Sequence, residues 1–217
     1  MNTQCNGNQP TKSSHTNIAR EDKFESLDNY EHINSLNRCP KNYVSPKILV
    51  KLESKDIGHS LYSNSYFTRN DTLYERPILF SELRKSPDMH TIQVAKTWHW
   101  CTKKHPIQYT QHSCFKINCK FVLEDVTDPS STTNVNETIN QDYAFATFKL
   151  VALQNIDPGT VLTVNYNSFE WEMSCGFLDA DAGREVRGFG YALPDEKKFL
   201  KDRELLFPHI EEIINSN

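Results

Sequence analysis

One stretch, residues 145–173 (FATFKLVALQNIDPGTVLTVNYNSFEWEM), constrains the fold of this chain more than any other. Four apolar side chains of its first arm share one face of a strand by the period-2 rule: Ala146, Phe148, Leu150 and Ala152. The triplet Asp157-Pro158-Gly159 then predicts a type II turn, because proline presets φ at the second position and glycine accepts a positive φ at the third. The pattern predicts a β-hairpin with one face in the core.

The returning arm of this hairpin carries the residue of greatest interest. Leu162, Val164 and Tyr166 alternate along it, so the Tyr166 ring is expected on the apolar side. A hydroxyl group placed there needs a hydrogen-bond partner, and an ordinary core tyrosine with a satisfied hydroxyl is one interpretation. A tyrosine delivered to a pocket is the other.

Composition limits the class of protein. The 217 residues suffice for one sizeable core, and the net charge of −4 has no single-sign block that would indicate a nucleic-acid or membrane surface. The N-terminus is polar from Asn2 to Arg20 and no apolar run is long enough to span a bilayer. We therefore expect an intracellular protein, cytoplasmic or nuclear, whose six cysteines are free thiols.

Short strands are predicted along most of the chain. The candidates are 47–52, 61–67, 72–76, 78–80, 89–94 and 121–123, with Pro77 expected to break the third from the fourth. The polar segment 128–141 is expected to be an exposed loop. Pro194, followed by acidic residues and apolar positions up to Ile214, predicts one or two short C-terminal helices.

A zinc cluster is an alternative for the middle of the chain. Its candidate ligands are His99, Cys101, His105, His112, Cys114 and Cys119. Zinc accepts such ligands, but these spacings match none of the usual paired arrangements. We predict no metal site.

Three motifs resemble those of SET-domain protein lysine methyltransferases, and they follow one another along the chain in the order that the family has. Residues 151–167 resemble the closing segment of the SET domain. Gln111-His112-Ser113-Cys114 resembles its Asn-His-Ser-Cys motif, and Gly58-His59-Ser60 resembles its Gly-x-Gly loop. The resemblance covers roughly residues 45–193 and implies a mainly β (α+β) fold, built of several short sheets with a knot-like crossing and short C-terminal helices.

The resemblance also implies a reaction and a site. It implies transfer of a methyl group from S-adenosylmethionine to a lysine amine, with Tyr166 as the catalytic residue. The cofactor-binding residues that it implies are Gly58, His59, Ser60, Leu61, Gln111 and His112. The aromatic walls of a substrate pocket would be Phe169, Trp171 and Phe177. The partner is then a protein substrate or a small molecule, with neither a membrane nor a nucleic acid involved.

The chain departs from the family pattern at four places. Ser60 replaces the second glycine of the loop, Gln111 replaces the asparagine, and residues 115–118 (FKIN) replace the x-Pro-Asn that follows that motif. Residues 178–182 (LDADA) lack the cysteines of the post-SET zinc cluster. Two alternatives therefore stay open: a SET-like protein that has become a binding module, and a SET-like enzyme that acts on a small molecule. We expect a flexible N-terminal segment (1–40), a SET-like domain (41–173) and a zinc-free post-SET-like segment (174–217).

Overall fold

The computed structural model describes residues 45–54, 58–127 and 143–216. The expected flexible N-terminal segment and the expected loop 128–141 lie outside the described residues. Within them the chain is mainly β. The strands are β1 (Ile48–Ser54), β2 (Gly58–Ser63), β3 (Thr72–Leu79), β4 (Leu83–Arg84), β5 (Thr91–Ala95), β6 (Trp98–Cys101), β7 (Gln111–His112), β8 (Cys119–Glu124), β9 (Ala144–Ala152), β10 (Thr163–Val164), β11 (Phe177–Asp179) and β12 (Arg184–Val186). Two helices follow, α1 (Pro194–Asp202) and α2 (Pro208–Ser216).

The first arm of the predicted hairpin is the middle strand of the central sheet. Strand β9 pairs antiparallel with β3 on one side and β8 on the other. All four predicted core positions of β9 are buried: Ala146, Phe148, Leu150 and Ala152. The Phe148 ring contacts Trp100 at 4.8 Å and Phe121 at 4.9 Å between ring centroids, so the main core lies against this face.

The predicted break at Pro77 is wrong. Strand β3 runs through this proline, which lies opposite Thr147 of β9. The strand order β3-β9-β8 places β3 at an edge of the described sheet. A proline has no backbone N–H to donate, and it is tolerated on an edge strand, where that N–H would face away from the sheet.

The turn after β9 was predicted correctly, but the hairpin was not. Gly159 has φ +81°, and the Thr160 N–H donates to the Asp157 carbonyl at 3.2 Å. The returning arm does not pair with β9, whose two edges β3 and β8 already occupy. Instead its residue Leu162 donates an N–H to Leu61 at 2.8 Å, and β10 pairs in parallel with β7.

The remaining sheets are small. Strands β1 and β2 form an antiparallel pair, β4-β6-β5 form a three-stranded sheet, and β11 and β12 form a hairpin. Pro194 begins α1, with Asp195 and Glu196 in its first turn, as the sequence predicts. The described residues form a mainly β arrangement of several small sheets and two short C-terminal helices, as the sequence predicts. Among the described residues no helix combines the length and apolar character needed to cross a membrane.

Candidate functional site

Tyr166 lies at the start of a single 3-10 turn (Tyr166–Ser168) that follows β10. The Asn165 side chain caps this turn by accepting the N–H of Asn167 at 2.8 Å. The Tyr166 hydroxyl donates to the backbone carbonyl of Thr110 at 2.5 Å. The tyrosine is therefore fixed at both ends, by the turn that carries its backbone and by the segment that leads into β7.

A cavity of about 300 Å³ lies beside this tyrosine. Its walls include the predicted pocket residues Phe169 and Phe177, whose rings lie 5.7 and 5.9 Å from the Tyr166 ring. Ile92 and Phe121 add apolar surface. The lining thus combines aromatic and aliphatic surface with several polar groups, which in ligand sites set the orientation of the ligand.

Glu170 is one of those polar groups, and the sequence analysis missed it. It lines the cavity although the residue is only 6 % exposed. Its Oε1 accepts the backbone N–H of Gln93 at 2.9 Å. Burial raises the pKa of this carboxyl to about 8, against the opposing effect of the Gln93 hydrogen bond. A glutamate between Phe169 and Trp171 is the sequence signal that could have pointed to it, since both of its neighbours are large aromatic residues.

Burial also raises the pKa of Tyr166, and the nearby Glu170 carboxyl acts in the same direction. Tyr166 is therefore protonated at neutral pH. Since its proton is directed at the Thr110 carbonyl, the hydroxyl oxygen has lone pairs left to accept hydrogen bonds from a group in the cavity. Tyr166 can orient a ligand but is a poor base.

His112 lies against the same tyrosine, with ring centroids 5.2 Å apart. Its Nδ1 accepts the Tyr166 backbone N–H at 3.1 Å, so the proton of the neutral ring is on Nε2. Burial lowers the pKa of His112 to about 4, although the nearby Asp179 carboxylate opposes this shift. At neutral pH His112 is an uncharged residue that supports the backbone of Tyr166.

One group of possible metal ligands occurs among the described residues, formed by His112, Cys114 and Asp179. Their donor atoms lie within 4.8 Å of one another. His112 Nε2 lies 3.3 Å from the Cys114 sulfur, and Asp179 accepts the Cys114 N–H at 3.2 Å. Three donors are one short of the four that structural zinc takes. The other candidates of the zinc alternative, His99, Cys101, His105 and Cys119, are not part of this group.

The predicted cofactor-binding residues divide into an accessible and a buried set. Gly58 and His59 at the start of β2 are partly exposed, and the Gln111 amide donates to the His59 carbonyl at 3.3 Å. Ser60 and Leu61 are fully buried. The Ser60 hydroxyl donates to the Glu53 carboxylate, and Leu61 belongs to the core. Gly58, His59 and Gln111 therefore form one continuous surface.

Trp171 is the predicted pocket residue that does not line the cavity. Its backbone N–H donates to the Gln93 side chain at 2.8 Å, and its ring lies 6.0 Å from that of Phe189. The structure thus brings Tyr166, Phe169, Phe177 and His112 together and places the Trp171 ring near Phe189.

Comparisons with known proteins find similarity in structure only. No family model matches the sequence, and no curated protein matches it significantly. A Plasmodium falciparum protein crystallised as a candidate histone methyltransferase matches with a TM-score of 0.38 and 11 % identity, over 57 % of this chain and 95 % of that one. A polycomb repressive complex 2 from Chaetomium thermophilum matches with a TM-score of 0.38 and 12 % identity, over 64 % of this chain.

A humanised mutant of the Chaetomium thermophilum complex, bound to an inhibitor, matches with a TM-score of 0.39 and 14 % identity, over 74 % of this chain. The chain spans about a fifth of the two polycomb chains, at 19 % and 22 % of their lengths.

Proposed function

We propose that this chain is an S-adenosylmethionine-dependent methyltransferase of SET type that methylates a lysine amine on a protein. The observation that carries the proposal is the position of Tyr166 between two surfaces. Its ring lines the cavity, while its hydroxyl is held by Thr110, the residue directly before Gln111. Gln111 in turn contacts His59. Tyr166 thus lines the cavity and is linked, through Thr110 and Gln111, to the surface of the glycine turn.

The residues of that surface fit the cofactor. Gly58 has φ +86°, and among the described residues no atom beyond its chain neighbours lies within 4 Å of the place where a Cβ would be. The backbone there is open to a ligand, as a close approach to the main chain requires. His59 and Tyr109 present neighbouring rings 6.0 Å apart, and Gln111 supplies an amide. Gly58, His59 and Gln111 would hold the cofactor, with His112 supporting Tyr166 behind them.

The chemistry follows from the neutral state of the tyrosine. Bound at this surface, S-adenosylmethionine would supply an electrophilic methyl group on a sulfonium. The Tyr166 hydroxyl oxygen would accept a hydrogen bond from the amine, and this bond would direct the lone pair of the amine toward the methyl group. Phe169 and Phe177 would exclude water from the amine, which disfavours its ammonium form. Alignment of this kind can lower a barrier by several kcal/mol.

The rim of the cavity favours a protein substrate over a small molecule. Met89 and Phe177 line the cavity and are 77 % and 36 % exposed, and the adjacent Leu178 is 69 % exposed. Exposed apolar side chains grouped at the mouth of a pocket are typical of a surface that contacts another chain. A free amine would leave this rim uncovered, whereas a peptide around a lysine would cover it.

A methyl-transfer assay tests the proposal. Purified protein is incubated with S-adenosylmethionine labelled in its methyl group, and with either a cell-protein mixture or a panel of small primary amines. The matched control is the same protein mixture with its lysines blocked by acetylation. We expect label in protein, and its loss after acetylation. Label only in small amines would favour the small-molecule alternative, and no label in either would contradict a methyltransferase.

A further inference from the structure

Two carboxyl groups line the cavity, Asp88 and Glu170, and Glu170 has the fewer hydrogen-bond partners. Its Oε1 accepts one hydrogen bond, from Gln93. Among the described residues no side chain or backbone group donates to its Oε2, and no lysine, arginine or histidine forms an ion pair with it. A buried carboxyl normally has several donors or a cation beside it. Glu170 therefore has room for one more positively charged or donating partner.

Glu170 also has a fixed place relative to Tyr166. It follows the 3-10 turn that begins at Tyr166, and its backbone N–H donates to the Tyr166 carbonyl at 3.0 Å. The Gln93 hydrogen bond holds the carboxyl against β5. Ile92 and Phe169 are among the apolar lining residues. The other carboxyl in the lining, Asp88, is already paired with Lys103 at 3.0 Å. A cation entering this cavity would therefore find the carboxyl without a cation beside it at Glu170.

The proposed reaction needs a group that takes up a proton. A lysine amine has an ordinary pKa of about 10.4 and enters as an ammonium, which has no lone pair with which to attack a methyl group. Tyr166 cannot take the proton, because it is already protonated and directs its hydrogen at Thr110. Asp88 and His90 also line the cavity, but the Asp88 carboxylate is paired with Lys103, and against the effect of burial its pKa is lowered by hydrogen bonds to Lys103 and the His90 backbone. Glu170 is the carboxyl whose backbone is bonded to that of Tyr166.

We propose that Glu170 binds the ammonium group of the substrate and accepts its proton before methyl transfer. This inference rests on the function proposed above. In the step an N–H bond of the ammonium breaks and an O–H bond forms on Oε2 of Glu170, so that an ammonium–carboxylate pair becomes a neutral amine and a neutral acid. The neutral amine would then have the lone pair that forms the bond to the methyl carbon, and the electrons of the broken C–S bond would go to sulfur.

The environment of Glu170 suits it to this exchange. Burial raises the pKa of the carboxyl to about 8, which brings its proton affinity closer to that of an alkylamine. A carboxylate with an ordinary pKa near 4.5 would be a much weaker base. Proton transfer is most efficient when donor and acceptor are closely matched near the working pH. The raised value alone would equally fit a structural acid, so the test has to separate the two roles.

Binding of n-butylamine, a primary amine with the length of a lysine side chain, provides that test without any methyl transfer. We would titrate it calorimetrically into the wild-type protein, Glu170→Gln and Glu172→Gln. The Glu170→Gln variant keeps the acceptor for Gln93 and the side-chain shape. Glu172 is an exposed glutamate two residues further on and serves as the matched control. Titration of 1-butanol reports the apolar part of binding alone.

Proton release is the readout that a structural role would not produce. At pH 7 the free protein holds a proton on Glu170, while the complex holds one proton shared by amine and carboxyl, so nearly one proton leaves per amine bound. At pH 9 the carboxyl is already ionised and the release falls toward zero. The wild-type protein and Glu172→Gln should show this change with a midpoint near pH 8, measured from the dependence of binding heat on the buffer. Glu170→Gln should release no proton and bind about tenfold or more weakly at pH 9.

Two results would overturn the inference. One is equal butylamine affinity in the wild-type protein and Glu170→Gln, with no proton release in either. The other is absence of butylamine binding to the wild-type protein at millimolar concentration.

The failure of this inference and the failure of the proposed function are distinguishable. Glutamate-dependent amine binding without any transfer of label would keep the role of Glu170 as an ammonium receptor and proton acceptor, and would contradict the methyltransferase. Transfer by Glu170→Gln at the wild-type rate and with the wild-type pH profile would keep the methyltransferase and contradict the role of Glu170. If the protein is a methyltransferase and Glu170 accepts the proton, kcat of Glu170→Gln should fall roughly 100-fold or more below the wild-type value.

Discussion

The hydroxyl of Tyr166 donates a 2.5 Å hydrogen bond to the backbone carbonyl of Thr110, across 56 residues of sequence. The same segment continues into Gln111 and His112, which contact His59 and the Tyr166 backbone respectively. Gln111, and not Tyr166, contacts the glycine turn. We therefore expect a change at Tyr166 to affect methyl transfer more than cofactor binding.

Replacement of Tyr166 by phenylalanine tests this directly. The variant keeps the ring contacts with Phe169 and Phe177 but loses the hydroxyl that would aim the amine. We expect kcat for methyl transfer to fall roughly 100-fold, since misorientation of the reacting amine can slow a reaction by about this factor. The dissociation constant for S-adenosylmethionine should change little. Tyr191→Phe is the matched control, because its hydroxyl bonds an exposed glutamate, Glu172, outside the cavity. Equal loss of activity in both variants, or none in Tyr166→Phe, would contradict the assignment.

Replacing Gly58 by alanine, compared with the same change at Gly159, distinguishes a loss of stability caused by backbone strain from a loss of cofactor contact. Gly58 and Gly159 have nearly the same φ, +86° and +81°. At both positions the described residues, chain neighbours aside, leave the place of a Cβ clear of atoms to 4 Å. Both Gly→Ala variants should therefore lose roughly 1 kcal/mol of unfolding free energy in urea, because a left-handed backbone is strained by a side chain. Only Gly58→Ala should also weaken S-adenosylmethionine binding. A similar affinity loss in Gly159→Ala would mean that the effect comes from stability and not from contact.

Much of the fold was predictable because it rests on local patterns. Alternation identifies β9, and the Pro-Gly pair identifies its turn, since both depend on a few adjacent residues. The pairing of β10 with β7 was not predictable in this way, because period-2 alternation specifies which face is buried and not which strand lies alongside. Pro77 was misjudged for the same reason, since its tolerance depends on β3 being at an edge.

The candidate site also contains residues that the sequence motifs identified and one that only contacts distant in sequence reveal. Tyr166, His112, Phe169 and Phe177 were found through motif order, and the structure gathers them around one tyrosine. Glu170 was missed because a glutamate in a charged segment usually faces solvent. Its burial arises from contacts with Gln93, 77 residues away in sequence. Trp171 shows the converse, an aromatic residue in the motif whose ring packs near Phe189 and not at the cavity.

The pH dependence of stability should reveal Glu170. Its folded-state pKa of about 8 lies above its ordinary value of 4.5, so the folded protein binds the extra proton. The stabilisation relative to the ionised form is fully present below about pH 4.5 and is lost as pH rises through 8. Between these values the slope is at most roughly 1.4 kcal/mol per pH unit. The difference in unfolding free energy between Glu170→Gln and the wild-type protein should therefore shift in favour of the variant from pH 5 to pH 9. A constant difference would contradict burial of this carboxyl.

His112 should show the opposite behaviour. Burial lowers its pKa to about 4, below its ordinary value of 6.5, so the folded protein resists its protonation. Its contribution to stability is fully present above about pH 6.5 and is lost as pH falls through 4. In NMR spectra the His112 ring signal, assigned by its absence in His112→Gln, should not titrate between pH 5.5 and 8. A titration midpoint near 6.5 would contradict the buried, neutral ring that accepts the Tyr166 N–H.

The role proposed for the surface formed by Gly58, His59 and Gln111 is to hold a methyl donor next to Tyr166. Calorimetric titration of the purified protein with S-adenosylmethionine tests this role, and Tyr166→Phe and Gly58→Ala are titrated alongside. We expect one-to-one binding to the wild-type protein, a similar dissociation constant for Tyr166→Phe and a higher one for Gly58→Ala. Absence of binding to the wild-type protein at millimolar S-adenosylmethionine would contradict it.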